Sequence, residues 1–173
     1  MSIKVAIVED DKITRETLSK LVSRADELLC TATYGTAEDA IREVPKNLPD
    51  VLLCDINLPG RSGIQCVAAL KSAQPDLLVL MLTTYDDTEN IFDSLRAGAS
   101  GYLLKRNIAA ELIPAIHEVQ KGGSPMSMNI ARKVVSYFRP DRPTAAPEIQ
   151  TLTPREHEIL TLLAKGCLQG TSG

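Results

Sequence analysis

Val51-Leu52-Leu53-Cys54-Asp55 runs directly into Ile56-Asn57-Leu58-Pro59-Gly60. Four apolar residues deliver one carboxylate to the start of a loop that turns back at Pro59-Gly60. An unbroken apolar run this short suits a strand buried on both faces, as in a parallel sheet. In open α/β sheets the ligand crevice lies beyond the carboxyl ends of the strands, so an aspartate there points into the site. Asp55 is therefore the candidate reactive group, although an aspartate before Pro-Gly serves equally well as a turn cap.

Upstream, Ile3 to Val8 is a short apolar strand that ends in three acids, Glu9-Asp10-Asp11. A helix from Lys12 to about Ala25 follows, with Ile13, Thr17, Leu18, Leu21, Val22 and Ala25 on one face. Leu28 to Tyr34 reads as a second strand and Thr36 as the cap of a second helix through Val44. Pro45 and Pro49 bracket the connection into the central strand.

Downstream, Ser62 to Ser72 is a helix stopped by Pro75, and Leu77 to Leu82 is a fourth apolar strand that ends in Thr83-Thr84. Asp87 to Ala97 is a helix closed by Gly98, and Gly101-Tyr102-Leu103-Leu104-Lys105 is the fifth strand. The last helix runs from about Ala109 to Lys121. Pro114 within it removes the hydrogen bond to the Ala110 carbonyl, so its first turn is expected to be irregular. Five strands, each followed by a helix, predict a doubly wound α/β domain with a parallel sheet and right-handed crossovers over residues 1–123.

From Ser124 the texture changes. Prolines at 125, 140, 143 and 147 mark a linker over 124–150, interrupted by a helix near 129–138 with Ile130, Val134, Val135 and Phe138 on one stripe. That stripe can dock on the body, on another copy or on a further segment, and the sequence does not choose among them. Residues 151–173 open with Thr153-Pro154-Arg155-Glu156, a threonine cap, a proline at the first helical position and a glutamate three after the cap. The final Leu168 to Gly173 has no periodicity and reads as a truncation scar or tag remnant.

Charge and cysteine usage narrow the classes. Residues 1–125 carry 13 basic and 18 acidic groups, and residues 126–173 carry 6 and 4. The acidic body argues against nucleic-acid binding through its own surface, where phosphate attraction dominates affinity. Cys30, Cys54, Cys66 and Cys167 show no C-x-x-C pairing, which suits reduced thiols and indicates neither a disulfide framework nor a zinc site. No stretch of 18 apolar residues and no signal peptide is seen, so a cytoplasmic protein without membrane contact is expected.

At the strand ends the sequence places acids after the first strand, Asp55 after the third, Thr83 after the fourth and Lys105 after the fifth. Clustered carboxylates raise one another's pKa unless a hard cation neutralises them, and oxygen ligands suit Mg²⁺. A lysine and a threonine hydroxyl beside them can hold a phosphoryl oxygen. Taken singly, each residue also fits a bland role as cap, strand terminus or solvated charge. Their joint placement at four strand ends favours phosphoryl transfer.

Val8-Glu9-Asp10-Asp11, Asp55 with Leu58-Pro59-Gly60, Thr83 and Gly101-Tyr102-Leu103-Leu104-Lys105 resemble the receiver domain of two-component response regulators. The resemblance implies a flavodoxin-like sheet of order 2-1-3-4-5. It implies Asp55 as phosphoacceptor, with Mg²⁺ held by Asp10, Asp55 and the Asn57 carbonyl and assisted by Glu9 through water. Asp11 would be a bystander. Thr83 and Lys105 would hold the phosphoryl group, Tyr102 would change rotamer on activation, and Asn57 and Tyr85 would tune the lifetime of the phosphate. Implied partners are a sensor histidine kinase and a second copy on phosphorylation. Such a protein is a phosphoacceptor that assists its own chemistry, not an enzyme in the usual sense.

Thr153 to Leu160 with Ala164-Lys165-Gly166 further resembles the opening helix of a LuxR-type helix-turn-helix of the NarL/FixJ-like group. DNA is then the expected target of the full-length protein. It is not expected for residues 1–173, which lack the turn and recognition helix. Two rivals differ in class. A flavodoxin-like nucleotide binder needs a Gly-rich loop after the first strand, where three acids stand instead. A degenerate receiver acting only as an interaction module would lack one of the key groups, and none is lacking.

Overall fold

The computed structural model describes residues 2–84 and 87–138. Tyr85 and the helix expected near Thr153 lie outside the described residues. Five strands, β1 (Ile3–Val8), β2 (Leu28–Tyr34), β3 (Val51–Asp55), β4 (Leu78–Thr83) and β5 (Gly101–Leu104), form one sheet of order β2-β1-β3-β4-β5. All four pairings are parallel. The crossovers are α1 (Lys12–Ser23), α2 (Ala37–Asn47), α3 (Gly63–Ala73) and α4 (Thr88–Ala97), and α5 (Ile108–Gln120) and α6 (Met128–Tyr137) follow the sheet.

Strand alternation divides the core in two. Leu52 and Cys54 join Ala6, Val8, Val79 and Met81 against α2, α3 and α4. Val51 and Leu53 join Val5, Ile7, Leu80 and Leu82 against α1 and α5. Both faces of β3 are covered, which is why its sequence is apolar without alternation. Local chemistry sets the helix starts. Asp11 accepts from the Thr14 N–H at 3.0 Å, Thr36 from that of Asp39 at 3.1 Å, and Ser62 and Gln65 form a reciprocal capping box.

Three expectations are corrected. Pro45 does not bracket a connection but lies inside α2. The buried stripe Ala37, Ala40 and Val44 carries the helix past the missing N–H until Leu48, left-handed at φ 46°, ends it. Pro114 leaves α5 unbroken: Leu112, Ala115, Ile116 and Val119 are buried around it, and the freed Ala110 carbonyl lies on the exposed side. The irregularity falls earlier, where Lys105 is not the end of β5 but the start of a 3₁₀ turn, Lys105–Asn107. That turn swings the Lys105 side chain off the strand direction and over the sheet edge.

The apolar stripe of 129–138 finds its partner on the body. Ile130 and Val134 are buried in the same cluster as Ile91, Phe92, Leu95 and Tyr102. Phe92 meets Tyr137 with ring centroids 4.4 Å apart and Phe138 at 5.7 Å, edge to face. Among the described residues no helix is long and apolar enough to cross a membrane.

Candidate functional site

The carboxyl ends of β1, β3, β4 and β5 meet at one edge of the sheet. Asp55 is the last residue of β3 and is 4% exposed. Glu9 follows β1, is 1% exposed, and its backbone N–H continues the pairing with β2 through the Tyr34 carbonyl at 2.9 Å. The Lys105 ammonium pairs with a Glu9 oxygen and lies 3.2 Å from Asp55 Oδ2. Thr83, fully buried, ends β4 beside them. Parallel registry therefore assembles four groups that are up to 96 residues apart in the chain.

Glu9, Asp10 and Asp55 can each place an oxygen within 4.8 Å of the others'. Burial, the largest influence on Glu9, pushes its carboxyl above the ordinary range against the Lys105 hydrogen bond that lowers it, and the Asp55 charge adds to the rise. For Lys105, burial favours the neutral amine, yet its bond to Glu9 and the charges of Asp55 and Glu9 outweigh that and raise its pKa. One ammonium thus pairs with two buried carboxylates while the exposed Asp10 adds a third beside them, leaving an excess of negative charge at the strand ends. Hard oxygen donors with that charge fit Mg²⁺. Asn57 stands two residues beyond Asp55, exposed, in the same loop.

Asp11 has a separate task. Its carboxylate accepts from the Thr14 hydroxyl at 2.6 Å as well as from the backbone. Those two bonds hold its pKa down and orient it onto the helix terminus. Tyr102 is buried on the same sheet face as Thr83: Met81 pairs with Tyr102 and Thr83 with Leu104, so two residues separate them along the register. Cys54 lies next to Asp55 but is no rival nucleophile. The neighbouring Cys66 thiol, and then burial, hold its pKa well above the ordinary range.

Three contributors escaped the sequence reading. Arg15 donates to the Glu9 carbonyl at 2.8 Å and to that of Asp10 at 3.4 Å, tying the acidic turn to α1. Its position four residues after the Asp11 cap was a usable signal. A Cβ on Gly63 would sit 1.9 Å from the Asp55 carbonyl oxygen, so only glycine lets α3 begin this close to the end of β3. Ser127 hydrogen-bonds Glu111 and Leu104 across the sheet edge, and nothing in the sequence linked these residues.

Known proteins resemble this chain in sequence and fold. Residues 5–117 match the response regulator receiver domain. The transcriptional regulatory protein YxjL of Bacillus subtilis is 34% identical over 95% of this chain and 76% of its own length. The oxygen regulatory protein NreC of Staphylococcus haemolyticus is 32% identical over 94% and 77%. A LuxR-family two-component response regulator from Aurantimonas sp. superposes with a TM-score of 0.75 at 28% identity, over 79% of this chain and 97% of that one. The receiver domain of the NarL regulator of Mycobacterium tuberculosis gives a TM-score of 0.67 at 27% identity, over 70% and 98%. With its sheet order, its strand-end acids and these relatives, the chain belongs to the response regulators, as a receiver domain of the NarL/LuxR type in two-component signalling.

Proposed function

We propose that Asp55 accepts a phosphoryl group from a phosphohistidine of a sensor histidine kinase in a Mg²⁺-dependent step, and that the resulting change of conformation controls transcription. The observation that carries this reading is the pairing of Lys105 with both Glu9 and Asp55, beside Asp10, at the strand ends. A cation-held carboxylate at the mouth of a recess is a nucleophile positioned for in-line attack.

An Asp55 carboxylate oxygen attacks phosphorus, the phosphorus–nitrogen bond to the histidine ring breaks, and the ring nitrogen leaves with the bonding pair. Asp10, Asp55 and the Asn57 carbonyl would hold Mg²⁺, with Glu9 reaching it through water. When bound, the ion offsets the carboxylates' repulsion of the incoming phosphoryl and stabilises charge on its oxygens. Lys105 Nζ moves from Asp55 to a phosphoryl oxygen and Thr83 Oγ1 donates to another. Tyr102, on the same sheet face as Thr83, turns into the space that Thr83 vacates. Asn57 and Tyr85 set how readily water reaches the acyl phosphate. Hydrolysis returns Asp55 and inorganic phosphate, so the group is a reversible mark and not a turnover product.

Residues 1–123 form the receiver in this reading, 124–150 the linker and 151–173 the opening of a LuxR-type DNA-binding segment. The protein works in the cytoplasm, dimerises on phosphorylation and reaches DNA through the output domain of the full-length regulator. Incubation with acetyl phosphate and Mg²⁺ tests the reading by intact mass. One phosphoryl increment is expected, lost with chelator and lost in Asp55→Asn. An increment that persists in Asp55→Asn refutes the assignment.

A further inference from the structure

The turn that carries the acids is held from outside by one side chain. Arg15 Nη1 donates to the Glu9 carbonyl at 2.8 Å and to the Asp10 carbonyl at 3.4 Å. Those two carbonyls belong to the peptide planes on either side of the Asp10 Cα. A residue between planar peptides has only two soft dihedrals, so a donor that pins both planes sets φ and ψ of Asp10, and with them the direction of its Cα–Cβ bond. The guanidinium itself is carried by a fixed element. Arg15 lies early in α1, its N–H donating to the Asp11 carbonyl at 2.9 Å, and Leu18, Leu21 and Val22 bury that helix against the sheet. A Cβ on Gly35 would lie 3.3 Å from the same Nη1, so the turn after β2 leaves the guanidinium room and little more.

Asp10 needs such a support. It is exposed, and among the described residues no side chain bonds its carboxylate, yet one of its oxygens lies within 4.8 Å of oxygens of Glu9 and Asp55. Its neighbours are held by their own side chains: Glu9 by Lys105 and by the Asp11 N–H at 3.1 Å, Asp11 by the Thr14 hydroxyl and N–H. Of the three, Asp10 is the one aimed by its backbone. We propose that Arg15 is a positioning residue of the metal site, which by holding the Glu9 and Asp10 carbonyls fixes the direction in which Asp10 offers its carboxylate to a divalent cation. The proposal rests on the phosphoacceptor reading of the same site and adds to it a residue that is not itself a ligand.

Two effects of the Arg15 side chain oppose each other at the site. Its charge repels a cation, and its hydrogen bonds remove an ordering cost that binding would otherwise carry. On the Asp11 carboxyl the Thr14 hydroxyl and N–H are the chief influences and the Arg15 charge comes last, so that charge acts weakly at the turn. The hydrogen bonds therefore decide the sign. Without Arg15, Asp10 samples several directions and must be ordered when the ion arrives, and ordering one backbone residue corresponds to a weakening of about tenfold. Lysine at this position keeps the charge and a donor, but its compact, rotatable ammonium holds the two planes less firmly than the rigid guanidinium.

Calorimetric titration of the full 173-residue chain with Mg²⁺ alone, followed by phosphoryl gain from acetyl phosphate, tests this in Arg15→Met and Arg15→Lys. Arg15→Met should bind Mg²⁺ about tenfold more weakly, and Arg15→Lys should fall between it and wild type. At saturating Mg²⁺ both variants should gain the phosphoryl group at the wild-type rate, because Arg15 acts on the seat of the ion and not on the attacking oxygen. Should Arg15→Met not fold, Arg15→Lys carries the same two measurements, with an affinity below wild type expected. An affinity that is unchanged or raised in the folded variants, even with a lowered thermal midpoint, overturns the inference, as does a phosphorylation rate that stays low at saturating ion. Either result leaves the phosphoacceptor reading intact as long as wild type gains its phosphoryl group. A wild-type chain that gains none in Mg²⁺ refutes that reading, and this inference falls with it.

Discussion

Replacing Lys105 by methionine keeps the length of the side chain and removes its charge. Glu9, 1% exposed, and Asp55, 4% exposed, then face each other without their shared cation. Breaking a fully buried ion pair costs roughly 3–5 kcal/mol because a buried charge is left uncompensated. Lys105 retains 21% of its side-chain exposure, so solvent shares the load and a loss of about 2–3 kcal/mol at pH 7.5 is expected. The pH dependence identifies the cause. The Glu9 carboxyl is already raised by burial, and losing Lys105 raises it further, so the folded variant holds a proton at a pH where the unfolded chain has released it. A raised folded pKa contributes stability that is full below the unfolded value, near 4.5, and is lost as pH rises through the folded value. The deficit relative to wild type should therefore shrink on acidification toward pH 5. Urea denaturation at pH 5, 6 and 7.5 without divalent ion reads it directly, and millimolar Mg²⁺ at pH 7.5 should restore part of the loss. A deficit equal at all three pH values, or none at pH 7.5, would refute the view that Lys105 offsets the charge of Glu9.

Gly63→Ala forces a Cβ to within 1.9 Å of the Asp55 carbonyl, and the displaced α3 start should cost about 3 kcal/mol, seen as a lowered thermal midpoint. Mg²⁺ affinity, measured by calorimetry, should begin to fall on acidification above the ordinary carboxylate range, because burial raises the Glu9 pKa and the proton and the ion compete for the same charge; a profile that stays flat until the ordinary carboxylate range is reached would count against Glu9's part in the site. Residues 1–173 should show no sequence-selective binding to promoter DNA at physiological salt in either phosphorylation state, because a helix-turn-helix reads bases with its second helix. Selective nanomolar binding in a fluorescence titration would move the output surface elsewhere.

Sequence alone determined the α/β class and the candidate site, because both rest on local patterns. A four-residue apolar run cannot be stable unless covered on two sides, and a carboxylate at its end falls in the crevice of any such sheet. The helix start at Thr36 was legible for the same reason, a cap bonded to the residue three positions on, and Asp11 and Ser62 prove to cap in the same way. Tertiary structure decided what depends on distance. Pro45 and Pro114 read as breakers, yet packing of their buried neighbours outweighs one lost hydrogen bond each. Asp10 and Asp11 are adjacent acids, and only the fold turns one toward Asp55 and spends the other on a helix end. Three docking places stood open for the apolar stripe of 129–138, because an amphipathic face specifies that it must be covered and not by what. Gly101, Ser127 and Phe92 make the α4–β5 face the one that fits it, and those contacts exist only once strands distant in sequence lie side by side.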